Sequence, residues 1–200
     1  KELGGDKPLY LTEVYAKTSP NNWWSDSYRL AAENTLLSLA LGIAEQVAAI
    51  QFYQLHDGVW ADIGGVNEKD GEYSYGMLMR DNSPKPHLLA FAAASEALDS
   101  AEFRRYVELP GTQVRGLEFK TPRGKMAILY DRSEGYFFSK DRKGFVWPEP
   151  WVEHWKKFNA RTFAGSRQEV TVVDAIGRER KYPVRNGKVK LTLSGAPMIV

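Results

Sequence analysis

The first half of the chain alternates short apolar runs with longer amphipathic ones. Residues 7–15 (KPLYLTEVY) are almost continuously apolar, with Gly-Gly-Asp before them and polar residues after. That pattern predicts a short strand buried on both faces. Residues 16–22 (AKTSPNN) read as loop. A helix is predicted from Ser25 or Asp26, either of which can cap it, to about Ala49. Its apolar positions extend nearly all round between Leu36 and Ala44, so it should be mostly buried. Residues 50–55 (IQFYQL) predict a second strand, and a long glycine-rich loop follows from His56 to about Asn82. Ser83-Pro84-Lys85-Pro86 then announces a helix over residues 87–98, with proline in its first turn. Strand, helix, strand, loop, helix is the order of parallel βα units.

After Pro110-Gly111 the rhythm changes. Residues 114–119, 126–130, 136–139, 169–174 and 188–193 are short β-rich runs separated by turn residues. Residues 131–134 and 141–144 are turns, and Asn186-Gly187 is a strong hairpin signal. Residues 170–174, 182–184 and 189–193 read as a meander ending on the apolar residues 197–200. The expected architecture is α/β followed by all-β, with a small antiparallel β-sandwich over residues 108–200.

Charge supports a division. Residues 1–109 hold 9 Lys/Arg against 16 Asp/Glu, and residues 110–200 hold 18 against 9, so a net −7 is followed by a net +9. A shift of that size near Pro110 marks two domains. The basic charges alternate with acidic ones and form no arginine stripe, which argues against a nucleic-acid surface. With no cysteine, disulfides and thiolate chemistry are excluded. His56, His87 and His154 are too far apart for a metal site. No apolar run reaches the roughly 18 residues of a membrane span.

One strand carries candidate chemistry. In Leu9-Tyr10-Leu11-Thr12-Glu13, alternation puts Leu9, Leu11 and Glu13 on one face. Two leucine tiers topped by a carboxylate at a strand's C-terminal end match the plan of a (β/α)8 barrel, whose active site lies at that end. A rigidly held carboxylate there could attack an anomeric carbon, given a second carboxyl about 5–5.5 Å away. The local pattern alone also fits a strand-end residue paired with a lysine or a loop amide, and does not by itself favour catalysis.

The run L-T-E-V-Y, one helix, I-Q-F-Y-Q-L-H-D-G, then a helix opened by D-N-S-P-K-P-H-L-L-A-F resembles the end of a clan A retaining glycoside hydrolase. Glu13 and His56 are 43 residues apart, a span that fits loop, helix and strand. The trailing V-D-A-I-G-R-E-R and G-K-V-K-L-T-L-S-G-A-P-M-I-V resemble the β-sandwich that follows such barrels, around family 39 and its S-layer-associated relatives. The resemblance implies that residues 1–107 are strands seven and eight of a (β/α)8 TIM barrel, with Glu13 as nucleophile. It implies a β-linked carbohydrate substrate, no cofactor, and an extracellular or cell-surface location. The Asn-Glu acid/base pair of strand four is absent, so the chain alone should be inactive without the missing N-terminal part of the barrel. The rival expectation is a non-catalytic carbohydrate-binding or cell-surface protein with a degenerate barrel.

Candidate substrate contacts surround Glu13. Tyr15 lies just past it, able to hydrogen-bond the carboxylate or to pack outward. Trp23 and Trp24 offer faces for sugar rings or a staple for the following helix. On the second strand the inward set is either Gln51, Tyr53, Leu55 and Asp57 or Ile50, Phe52, Gln54 and His56. His56 and Asp57 are therefore both candidates, although Asp57-Gly58 is also turn chemistry. Trp60 heads a loop on the same face. Trp151 and Trp155, at i,i+4 spacing, are expected in a core or domain interface.

Overall fold

The computed structural model describes residues 7–15, 17–18, 27–58, 71–134, 155–165 and 167–200. Its first half is a βαβα unit. Strands β1 (Leu9–Val14) and β2 (Val47–Phe52) pair in parallel, with helix α1 (Tyr28–Ala44) between them in sequence. Helix α2 (Pro86–Leu98) follows after a loop containing a 3-10 turn at Gly71–Ser74. Ser27 caps α1, its Oγ accepting from the Leu30 amide at 3.1 Å; Ser25 and Asp26 lie outside the described residues. The helix stops at Ala44 rather than Ala49. Gln46 takes a left-handed φ of 56° and reverses the chain, so β2 starts at Val47. Gly42 permits the return: a Cβ there would lie 2.3 Å from Ile50 Cδ1.

The second half is antiparallel. It comprises β3 (Glu102–Glu108), β4 (Val114–Thr121), β5 (Gly124–Asp131), β6 (Asn159–Ala164), β7 (Glu169–Val173), β8 (Glu179–Pro183), β9 (Lys188–Leu193) and β10 (Met198–Ile199). Six strands form one sheet in the order β3-β4-β5-β10-β7-β8, and β6 pairs with β9 in a second. The sheet opens at β3, ahead of the start at residue 108 read from composition. Residues 136–139 lie outside the described residues. Asn186 and Gly187 both take positive φ, 49° and 68°, as a tight reversal requires. The meander does not form, however. β8 stays with β7, while β9 crosses to β6 in the other sheet.

Alternation along these strands feeds two cores. Leu117, Phe119, Ile128, Tyr130 and Ile199 pack on Ala32, Leu36, Ala40, Ala90, Ala94 and Leu98 of the two helices. Val114, Leu129 and Val172 meet Val189, Leu191 and Leu193 of β9 instead. On β3 the pattern changes face: Phe103 belongs to the helix side and Val107 to the other. A register shift between Phe103 and Arg105 explains it, since one extra residue turns every later side chain over.

Polar contacts pin the layers. Buried Asp131, at the end of β5, accepts from Arg161 at 3.0 Å and Asn159 at 3.2 Å, both on β6. Trp155 donates from Nε1 to buried Glu33 of α1 at 2.9 Å, and Arg29 holds the other oxygen at 3.0 Å. Trp155 is thus an interface residue; Trp151 lies outside the described residues. No helix among the described residues is long and apolar enough to cross a membrane.

Strand β1 departs from the sequence reading. It was expected to be buried on both faces, yet Leu9 and Tyr10 are 55% and 57% exposed. Its one strand partner among the described residues is β2.

Gly195 makes room for the Trp155 ring, because a Cβ there would fall 2.1 Å from Cζ3. Gly195→Ala should therefore expel the ring, break its bond to Glu33 and destabilise the chain by about 1–3 kcal/mol. Denaturant titration followed by tryptophan fluorescence checks this; an unchanged midpoint and emission would contradict it.

Candidate functional site

The C-terminal ends of β1 and β2 lie side by side, because parallel strands end on the same edge. Ile50 points at Gly42 of α1, and Phe52 lies edge-on to Phe91 of α2 with centroids 5.6 Å apart. These two face the helices, so Gln51 between them faces away. Leu11 pairs with Ile50 and Val14 with Phe52, leaving Thr12 and Glu13 together opposite Gln51. This is a bulge, and it corrects the simple alternation. Leu11 lies in register with helix-facing Ile50, so the run of Leu9, Leu11 and Glu13 down one face is broken. Bulges next to functional sites re-aim a side chain in this way. Glu13 is exposed at the strand end.

Three tyrosines continue from that edge. Tyr15 and Tyr53 each meet Tyr75 edge-on, with centroids 4.9 and 5.7 Å away. Lys17 Nζ lies 5.7 Å from the centre of the Tyr75 ring. The Tyr53 amide donates to Val14 O at 2.8 Å, and the Tyr53–Gln54 peptide is cis.

Beneath them is a buried charge. Lys85 is fully buried, and its Nζ donates to Asp57 Oδ1 at 2.6 Å, Thr18 Oγ1 at 3.0 Å and Ser74 O at 3.4 Å. The Gly76 amide also donates to Asp57 Oδ1, at 2.8 Å. Thr18 follows β1, Asp57 follows β2, Ser74 and Gly76 belong to the next loop, and Lys85 precedes α2. One ammonium therefore ties four segments of the same edge. The local sequence delivers it there. Asp81 Oδ1 accepts from the Ser83 amide in a tight turn and Asn82 takes φ 67°; Pro86 then starts α2, leaving Lys85 at the cap position with its side chain inward.

Burial sets the protonation states. It lowers the Lys85 pKa below the ordinary lysine value, with Asp57 opposing the shift. Burial, and next the Asp57 charge, push the Tyr28 phenol up to about 12. His87 is 2% exposed and its pKa falls to about 3, first from burial and then from Lys85. The Gly76 backbone is near its ring, but neither ring nitrogen attains hydrogen-bonding geometry. His87 is accordingly neutral above pH 4. No group of three or more His, Asp and Glu among the described residues could hold a metal ion.

Similar architecture occurs in known enzymes. A family 39 glycoside hydrolase from the gut symbiont Bacteroides cellulosilyticus WH2 superposes with a TM-score of 0.67 at 16% identity, over 96% of this chain and 33% of that one. The fold resembles part of that enzyme's. A family 30 endoxylanase from Clostridium papyrosolvens C71 gives 0.54 at 9% identity, over 99% of this chain and 42% of that one. A family 39 enzyme from Xanthomonas axonopodis pv. citri gives 0.52 at 13%, over 97% and 44%. The chain thus spans about a third of the first enzyme and less than half of the others. No protein-family model and no curated protein sequence matches the chain.

Within this fold the candidate residues separate. Glu13 and Tyr15 share the strand edge, but among the described residues Tyr15 meets Tyr75 rather than Glu13. His56, just past the end of β2, is half-buried, its Nδ1 donating to Asp57 O at 2.7 Å. Asp57 is not a mouth residue: it is 6% exposed and engaged by Lys85 and Gly76. A carboxylate facing a fully buried ammonium is needed there for neutrality. Trp23, Trp24 and Trp60 lie outside the described residues. Lys85, Thr18 and Tyr75 were not singled out by sequence. A lysine between two prolines marks a restricted backbone position at a helix start, but that restriction does not reveal which way its side chain turns.

Two outcomes follow. Lys85→Met should destabilise the chain by about 3–5 kcal/mol by stranding Asp57, and Lys85→Met/Asp57→Asn should recover much of the loss. Equal denaturation midpoints for wild type and Lys85→Met would refute the lock. The second concerns pH. The unfolded His87 ring takes up a proton near pH 6.5 and the folded one near 3. Stability is therefore full above pH 6.5 and declines as pH falls, by about 1.4 kcal/mol per unit. His87→Leu should flatten the stability profile between pH 6.5 and 5; parallel profiles would count against a neutral buried ring.

Proposed function

We propose that this chain supplies strands seven and eight of a (β/α)8 barrel, followed by a β-sandwich, in a retaining glycoside hydrolase, and that Glu13 is the nucleophile. The observation that carries the reading is the placement of Glu13. It is an exposed carboxylate in a bulge at the C-terminal end of a parallel strand, on the sheet edge from which Tyr15, Tyr53 and the segments tied by Lys85 continue. The open side of β1 supports the barrel. Parallel sheets are stable when both faces are covered, and here Leu9, Tyr10 and Leu11 are exposed on a strand with a free edge among the described residues. Covering each such side chain contributes about 1.5–3 kcal/mol. Further barrel strands, on the same or another chain, would cover them.

In the completed site, the Glu13 carboxylate attacks the anomeric carbon of a β-linked sugar, and the glycosidic bond breaks as the ester forms. A second carboxyl, about 5–5.5 Å away in a retaining enzyme, protonates the leaving oxygen and then activates the water that hydrolyses the ester. That group comes from the strands that complete the barrel. Tyr15, Tyr53 and Tyr75 line the rim and give ring faces to the sugar. His56 is a candidate polar contact at the same edge. The Lys85–Asp57 pair is a positioning device: it touches no sugar but fixes the segments that do. An extracellular or cell-surface setting suits a polymeric β-glycan substrate.

The test is kinetic. In the complete enzyme, Glu13→Gln should lower kcat by at least about 10³-fold with folding unchanged, because the amide cannot form the ester. Activity within tenfold of wild type would remove the nucleophile assignment.

A further inference from the structure

A cleft away from Glu13 lies between the first turns of α1 and the open end of the space between the two sheets. Its volume is about 360 Å³, within the roughly 300–1,000 Å³ range of ligand sites. Arginines dominate its charge. Arg29 pairs with Glu33 at 3.0 Å and Arg178 with Asp174 at 2.6 Å. Arg180, on the same lining, has no ion pair among the described residues. It leaves one guanidinium uncompensated in a concave site.

The rest of the lining is aromatic and aliphatic, with the hydroxyls of Thr192 and Ser194 and no further acidic residue. Arg180 lies opposite Val172 and Tyr182 opposite Val170 in the β7–β8 ladder, so the pair shares the face turned toward β9. Tyr182 is half-buried, while Phe158 is 52% exposed at the cleft. A guanidinium fork matches a planar carboxylate with two parallel bonds. Aromatic faces match the C–H side of a pyranose ring, much as they match other flat apolar surfaces. A bare phosphate would use the arginine and leave the rings unused; a neutral sugar would do the reverse.

We propose that this cleft binds an anionic carbohydrate, a hexuronic acid residue whose carboxylate meets Arg180 while its ring lies against Tyr182 and Phe158. The site is separate from the Glu13 chemistry and holds whether or not that chemistry is as described. It would let the antiparallel half of the chain grip an acidic glycan.

The experiment is calorimetric titration of this chain with tetragalacturonic acid, with cellotetraose and with inorganic phosphate. The uronide should bind at millimolar concentration or below, at least tenfold more tightly than cellotetraose, and phosphate at equal concentration should not displace it. Arg180→Gln, a surface change, should weaken uronide binding tenfold or more, and Phe158→Ala severalfold. Arg104→Gln, on β3 at the opposite edge of the sheet, should leave it unchanged. Absence of uronide binding, an equal loss from Arg104→Gln, or displacement by phosphate would each overturn the proposal.

Discussion

A lysine ammonium with no exposure to water organises the edge where β1 and β2 end. Moving such a charge out of water is unfavourable by several kcal/mol unless its donors are met. Asp57, Thr18 Oγ1 and the Ser74 carbonyl meet them, and the Gly76 amide completes the carboxylate. Thr18, Asp57 and the Ser74–Gly76 loop come from three different stretches of chain, and Lys85 from a fourth. None of these stretches can shift far without leaving a charge or a carbonyl unpaired in a dry environment. Gly76 shows how close the packing is: a Cβ there would sit 2.0 Å from the Asp57 amide nitrogen. The position of Tyr75, and through it of Tyr15 and Tyr53, follows from that closure. So does the neutrality of His87, which neighbours the same ammonium.

The charge imbalance between the two halves does not drive their contact. Helices and six-stranded sheet meet through alanines, leucines and aromatics. Polar ties across the junction among the described residues include Trp155 to Glu33, Tyr106 to Glu45, and Arg123 to Glu96 at 3.6 Å between two exposed side chains. A surface pair of that kind contributes little. Alanines at 32, 40, 90 and 94 bring backbone and sheet close together, and apolar burial supplies the attraction. Arg180, one of the basic residues of the second half, is exposed at the surface.

Much of the fold was legible because periodicity is set by burial on one face. The helix over residues 87–98 and the strands near 114, 126, 169 and 188 fall where the pattern puts them. The misses have identifiable physical causes. β3 reads EFRRYVE, and the extra residue at its bulge scrambles the alternation. The end of α1 was hidden because Val47, Ala48 and Ala49 suit a buried helix as well as a strand; the left-handed turn at Gln46 decided it. At the site, the acidic residue at the end of β1 was visible, but its bulge was not, since register is a property of two strands. Asp57 was misread for the same reason: its partner, Lys85, is 28 residues away. The Ser-Pro-Lys-Pro signature marked a helix start without disclosing where the lysine side chain goes.

The proposed chemistry turns on a bond between one carboxylate and one anomeric carbon. Mass spectrometry after trapping is the direct measurement. The complete enzyme would be incubated with a panel of activated 2-deoxy-2-fluoro β-glycosides, digested and mapped. The account predicts one sugar ester, on the peptide bearing Glu13. A label on any other carboxylate, or turnover with inverted anomeric configuration, would contradict it.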